Sequence, residues 1–129
     1  MSYALGSPLI RTVRLVLTGI NLNSALTDVG TFTIPEATTK YRVVRLMGYD
    51  ASVSLTLATV DLRTATGGGG TAIVNAGVLS ALTAATAFSD VTLAVTAVYQ
   101  TAATLTLRNV TAQGAAATAS FLLELIDLT

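Results

Sequence analysis

The chain has 129 residues with no histidine and no cysteine; 22 threonines and 21 alanines stand beside 14 charged side chains that sum to zero net charge. Without imidazole or thiolate, proton transfer near neutrality and soft-metal ligation lose their usual carriers, so catalysis would need a useful cluster of Asp, Glu, Lys, Ser or Tyr. Zero net charge supplies no long-range field toward nucleic acid or an anionic membrane, and stability has to come from packing and backbone hydrogen bonds rather than disulfides.

Taken in chain order, residues 1–8 (MSYALGSP) are largely apolar without strand patterning and predict a flexible N-terminal arm that orders against a neighbour. They contain no basic stretch followed by an apolar core, so no secretory signal is expected. Residues 9–129 predict a single domain, long enough to bury about two thirds of the surface of its unfolded chain. A first strand over 9–18 sets Val13, Leu15 and Leu17 on one face and Thr12, Arg14 and Thr18 on the other. Residues 19–28, rich in Asn and Ser, predict a loop. A second strand over 29–34 turns Phe32 and Ile34 to one side, turns Thr31 and Thr33 to the other, and is stopped by Pro35.

Residues 41–49 are denser. Tyr41, Val43 and Met47 share one face and Val44 and Leu46 the other, so a strand covered on both faces is expected. Over 54–63 the apolar phase changes from Leu55 and Leu57 to Val60 and Leu62, which predicts one inserted residue, a β-bulge near Ala58 and Thr59. The run Gly67, Gly68, Gly69, Gly70 predicts an open loop or a turn with positive φ, after which a strand resumes at 72–74. Residues 77–88 mix a helical spacing of Val78, Leu79, Leu82 and Ala85 with Thr83 and Thr86, which predicts one helical turn or a loop crossing an end of the fold.

Three more alternating runs follow: Val91, Leu93, Val95 and Ala97; Leu105 and Leu107; and Ala119, Phe121, Leu123 and Leu125. About eight strands without a long helix predict an all-β fold, an antiparallel β-sandwich that is jelly-roll-like by strand count. Its expected core is Val13, Leu15, Leu17, Phe32, Ile34, Val43, Leu55, Leu57, Leu93, Leu105, Leu107, Phe121 and Leu123.

Each chemical candidate meets a plainer explanation. The glycine run lacks the lysine of a phosphate loop and precedes no convincing helix, so it is expected to be a turn. Asp28 and Glu36 flank the second strand; an acid pair can serve acid–base chemistry or a hard cation, but these two stand alone among apolar residues and predict strand-end solvation. Lys40, Arg42 and Arg45, with Tyr41 among them, form the densest positive charge. They could contact RNA by stacking and phosphate pairing, yet arginine and tyrosine in a net-neutral domain point more strongly to a protein interface. Asn109, Val110 and Thr111 match a glycosylation acceptor, read as coincidence in a chain without a visible secretory signal.

No catalytic, cofactor-binding or metal-binding residue is assigned on these grounds, and neither an enzymatic activity nor a cofactor is expected. Residues 64–89 run without a charge, but the glycines, Asn75, Gly77 and many threonines break the stretch, so no membrane span is expected. With 52% hydrophobic and 11% charged residues, the surface is expected to be covered by protein, including further copies of the chain.

The order Val29-Gly30-Thr31-Phe32-Thr33-Ile34-Pro35, Lys40-Tyr41-Arg42-Val43, a polyglycine loop before Thr71-Ala72-Ile73-Val74, Leu105-Thr106-Leu107-Arg108 and the Ala-rich stretch 111–119 resembles small structural proteins of tailed bacteriophages. It is most similar to the jelly-roll decoration, or cement, proteins on the outside of phage heads. The resemblance implies a homodimer or homotrimer bound to the major capsid protein, on the virion surface after assembly in the host cytoplasm. It carries over no motif residue to a position of this chain. A tail, neck or head-fibre component of the same virion and a carbohydrate-binding β-sandwich remain the alternatives, the latter disfavoured by only three Phe, four Tyr and no Trp.

Overall fold

A computed structural model describes residues 11–129; the arm expected over 1–8, together with Leu9 and Ile10, lies outside the described residues. Eight strands form: β1 (Arg11–Asn21), β2 (Thr27–Thr33), β3 (Tyr41–Tyr49), β4 (Thr59–Arg63), β5 (Ala72–Val78), β6 (Phe88–Asp90), β7 (Thr104–Thr111) and β8 (Thr118–Asp127), with no helix among the described residues. The first strand pairs with the last, the second with the seventh, the third with the sixth and the fourth with the fifth, all antiparallel. The chain is therefore a doubled ribbon. Added pairings of β3 with β8 and β4 with β7 fold that ribbon into two sheets, β1-β8-β3-β6 and β2-β7-β4-β5. This is the expected β-sandwich, with strands in jelly-roll order.

Alternation along the strands builds the core. In β8, Ala119, Phe121, Leu123 and Leu125 are buried, whereas Leu122, Glu124 and Ile126 are half-buried on the opposite face. Leu105 and Leu107 of β7 and Phe32 of β2, with Ile34 just after it, complete the inner layer as expected. The glycine run is a turn, with positive φ at Gly67, Gly68 and Gly70.

Several sequence expectations need correction. Residues 19–28 are not all loop: an irregularity between Leu17 and Ile20 carries β1 on to Asn21 and turns Ile20 into the core, and β2 already begins at Thr27. β3 is covered on one face, not two. A register shift between Val43 and Arg45 moves its inward series from Tyr41 and Val43 to Leu46 and Gly48, so Tyr41, Val43 and Leu46 share the inner side while Met47 falls on the outer one. A bulge and a two-faced strand produce the same sequence pattern, and only pairing separates them.

Residues 54–58 precede the strand rather than belong to it. Leu55 is buried, its N–H donating to the Leu82 carbonyl in the loop that closes this end, but Leu57 is 63% exposed and is not part of the core. The bulge expected near Ala58 and Thr59 is not found: at Thr59 and Val60 the extra residue is Val110 of β7, and the phase change in 54–63 arises because 54–58 lie outside the strand. Val13, Leu15, Leu17 and Leu93 only pack partly against the core; for the first three the reason is that β1 is an edge strand. Within 77–88 the loop alternative holds: β5 runs to Val78, and Leu79 and Leu82 are buried, converging with Phe121 over Gly48.

The alternating run 91–97 is not a strand. After β6 the Val91 N–H donates to the Leu46 carbonyl of β3, but the Ala94 and Val95 N–H groups donate to Ile73 of β5, in the other sheet. The segment spans from one sheet to the other and closes the side where both have an edge strand, so its backbone cannot follow a single ladder. Its entry passes so close to β5 that a Cβ at Gly77 would overlap Val91 and Val74. β5 bulges just before this point, with Ala76 at positive φ and its N–H donating to the buried Asp61 carboxylate, which also pairs with Arg63.

Phe121 is fully buried at the centre of this core, and Phe121→Ala is expected to lower unfolding free energy by about 3–5 kcal/mol in chemical denaturation. Gly77→Ala, the smallest possible addition, should destabilise by about 1–3 kcal/mol through overpacking, measured in the same way.

Candidate functional site

All seven basic and seven acidic residues lie in the described part, and five pairs form among them: Arg11–Asp127, Arg14–Glu124, Arg45–Asp90, Arg63–Asp61 and Arg108–Asp28. Lys40 and Arg42 are the two cations without an ion-pair partner. They flank Tyr41, and strand alternation separates the three. Tyr41 points inward, fully buried, with its hydroxyl donating to the Ala102 carbonyl at 2.7 Å, so its ring is closed to a stacking base. Arg45 is taken up by Asp90, at 2.5 and 3.3 Å. The expected cluster of Lys40, Tyr41, Arg42 and Arg45 thus divides, and Arg42 and Lys40 are left facing solvent.

The crossing segment gives Arg42 its surroundings. It leaves the edge of β3 at Leu46 and returns to it at Tyr41, where Tyr41 and Gln100 exchange backbone hydrogen bonds of 3.0 and 2.7 Å. Between these points it arches toward β5 and leaves a pocket of about 240 Å³ lined by Arg42, Thr96, Ala97, Val98, Tyr99 and Leu128. Val98 and Tyr99 are 66% and 52% exposed. The Lys40 ammonium lies 5.6 Å from the centre of the Tyr99 ring, a cation–π distance, and covers a ring face on which a sugar would stack.

Ligand sites for drug-sized molecules begin at about 300 Å³. This pocket is sized for one or two protein side chains, and its chemistry suits an apolar group beside a carboxylate. Arg42 offers a planar fork for that carboxylate.

The other sequence candidates are spoken for by the fold. Asp28 and Glu36 sit at opposite ends of β2 and do not meet. The Gly67 N–H donates to Asp28 at 2.9 Å and, with Arg108, holds its carboxyl below the usual carboxylate range. The glycine turn is tied down by this bond and by the Gly69 N–H donating to Thr66, so these two amides are not free to cradle a phosphate. Asn109 is fully buried, its side-chain amide donating to the Ser24 carbonyl, and is inaccessible to a glycosylating enzyme in the folded chain. Among the described residues no three His, Cys, Asp or Glu side chains group as metal ligands, and no helix is long and apolar enough to cross a membrane.

Sequence reasoning missed Val98, Tyr99 and Leu128. Tyr99 carried a usable signal, since it is the one aromatic residue between Phe88 and Phe121. No family model, curated protein or solved structure matches this chain.

Burial pushes the Tyr41 hydroxyl up to about 12 from its ordinary 10.0. A phenol whose folded value is raised contributes fully below the unfolded value and loses that contribution as pH climbs toward the folded one. Stability is therefore expected to fall between pH 10 and about 12 more steeply in the wild type than in Tyr41→Phe. At neutral pH Tyr41→Phe should cost about 0.5–1.5 kcal/mol, the net worth of the lost hydrogen bond. Urea melts of both proteins across this pH range provide the measurement.

Proposed function

We propose that this protein is a structural virion component that decorates and stabilises the outside of a tailed-phage capsid through protein–protein contacts, with the major capsid protein as partner. The observation that carries the reading is the pocket at the start of β3. The two basic side chains that the fold leaves without an acid stand there beside exposed Val98, Tyr99 and Leu128. Buried anchors of aromatic and arginine type are what protein interfaces use. A shell surface offering a carboxylate next to an apolar side chain would satisfy both halves of the pocket. The strand order agrees with the jelly-roll class that the sequence resembles.

The N-terminal residues 2–9 are proposed as a second contact. Arg11, where the described chain begins, lies in the same transverse row as Asp127 and Tyr41, two strands from β3. The start of β1 therefore lies at the pocket's end of the sheet, about 10 Å from β3 at the usual strand spacing. One such interface need not be strong. A shell repeats it with its symmetry, and linked copies raise apparent affinity without new contacts.

The test is the double variant Lys40→Glu/Arg42→Glu added to heads stripped of the protein. Neither residue makes an ion pair in the fold and Lys40 loses only its exposed contact with the Tyr99 ring, so stability should change by no more than about 1 kcal/mol. Shell occupancy, counted by electron microscopy, should fall at least about tenfold, one interfacial charge pair being worth that much. Wild-type protein should restore the heat resistance of the stripped heads. Undiminished occupancy by the double variant would remove the pocket from the interface, and location at the tail would replace the cement role by the tail or fibre one.

A further inference from the structure

The outer face of the sheet β1-β8-β3-β6 is ordered in transverse rows. Cross-strand register aligns Arg14 with Glu124 and Arg45, then Val16 with Leu122 and Met47, and at the next step Ser120 with Tyr49 and Phe88. Asp90 of β6 lies opposite Met47, one step along, and its carboxylate reaches back to Arg45 to complete the first row of charges. Across four strands the charges thus alternate as plus, minus, plus, minus. Beside them runs an apolar band in which Val16 is 49% and Phe88 59% exposed, with Leu122, Met47 and Tyr49 half-buried between.

We infer that this face is self-complementary and is the contact between two copies of the chain, packed sheet to sheet about a twofold axis parallel to the strands and midway between β8 and β3.

Symmetry selects that axis. A twofold along the strands brings β1 of one copy over β6 of the other and β8 over β3. Glu124 then faces Arg45, Arg14 approaches Asp90, and Leu122 meets Met47 of the second copy. A twofold along the row would set every charge against its own kind, which costs several kcal/mol. A row of four charges that reverses sign about its centre is what an isologous interface requires, because each residue must meet the partner of its own neighbour. Face-to-face sheets tolerate this alignment, since they pack with strand directions within about 30° of each other.

Size sets the strength. Three strands of about nine residues and the three-residue β6, at ~4.8 Å between strands and ~3.3 Å per residue, give a flat footprint of roughly 500 Å² per copy. Standard interfaces bury about 800 Å² per partner, so a reversible dimer that responds to concentration is expected. This inference extends the self-association expected of a shell protein; Arg42 lies on the same face, in the row of Thr12 and Ile126, but none of the variants below alters Arg42 or the pocket. It is measured on purified protein without a shell, so either reading can fail while the other stands.

Sedimentation velocity over a concentration series, at low and high salt, provides the test. The wild type should dimerise, less at high salt. Glu124→Arg changes the row to plus, plus, plus, minus and sets the introduced guanidinium against Arg45 of the second copy; it should weaken dimerisation by about tenfold or more. Arg45→Glu should weaken it likewise. The double variant Glu124→Arg/Arg45→Glu reads plus, plus, minus, minus, is again self-complementary about the same axis, and should restore dimerisation. Leu122→Asp, which leaves the charge row intact, should also give monomer. Thermal melts confirm that each variant is folded, and a variant that is not is replaced by Glu124→Gln or Arg45→Gln, expected to weaken the dimer without reversing charge. A monomeric wild type at every concentration, or a dimer indifferent to the single reversals, or no rescue in the double variant, overturns the inference.

Discussion

The structure depends on one pairing, that of the last strand between the first and the third. β8 lies inside its sheet, bonded to β1 on one side and β3 on the other, and supplies Phe121, Leu123 and Leu125 to the core. Without it β1 has no neighbour in its sheet, and β3 retains only the three-residue β6. The ion pair Arg14–Glu124 joins residues 110 positions apart, and Arg11–Asp127 joins residues 116 apart. Contacts of this range must bear a large loop-closure cost before they are rewarded, so such folds assemble slowly and cooperatively.

The nested ribbon also explains how the sandwich handles its edges. A bare edge strand is a template for unwanted pairing. On one side the segment after β6 spans from Leu46 to Ile73 and back to Tyr41, hydrogen-bonding to an edge strand of one sheet and then to the other sheet's strand β3. That arch covers the side and makes the pocket at Arg42. The same stretch that shields an edge therefore shapes the surface most suited to a partner.

Charge is distributed with a similar economy. Ten of the fourteen charged residues neutralise one another within the fold, leaving Lys40, Arg42, Glu36 and Asp50. Net neutrality in the sequence thus hides a local excess of positive charge at the pocket. Exposed pairs such as Arg14–Glu124 contribute little to stability on their own. Their regular placement across a sheet gives the face a pattern, and a pattern selects one mode of contact over others.

The sequence by itself determined the β class and most of the inner layer, because a strand exposes alternate faces and that period of two is written locally in runs such as 119–125 and 29–34; its eight strands included 91–97 and missed Phe88–Asp90. It also determined that the glycine run is a turn, since few other residues adopt its positive φ. Only the tertiary structure decided that β3 has one buried face, that Leu57 is outside, that 91–97 joins two sheets, and which cations stay free. Each of these depends on register or on a partner far along the chain: a bulge at Val43 looks like a two-sided strand until β8 is laid beside it, and Arg45 looks like Arg42 until Asp90 arrives. Local pattern reports which way a side chain alternates, while long-range pairing settles what it meets.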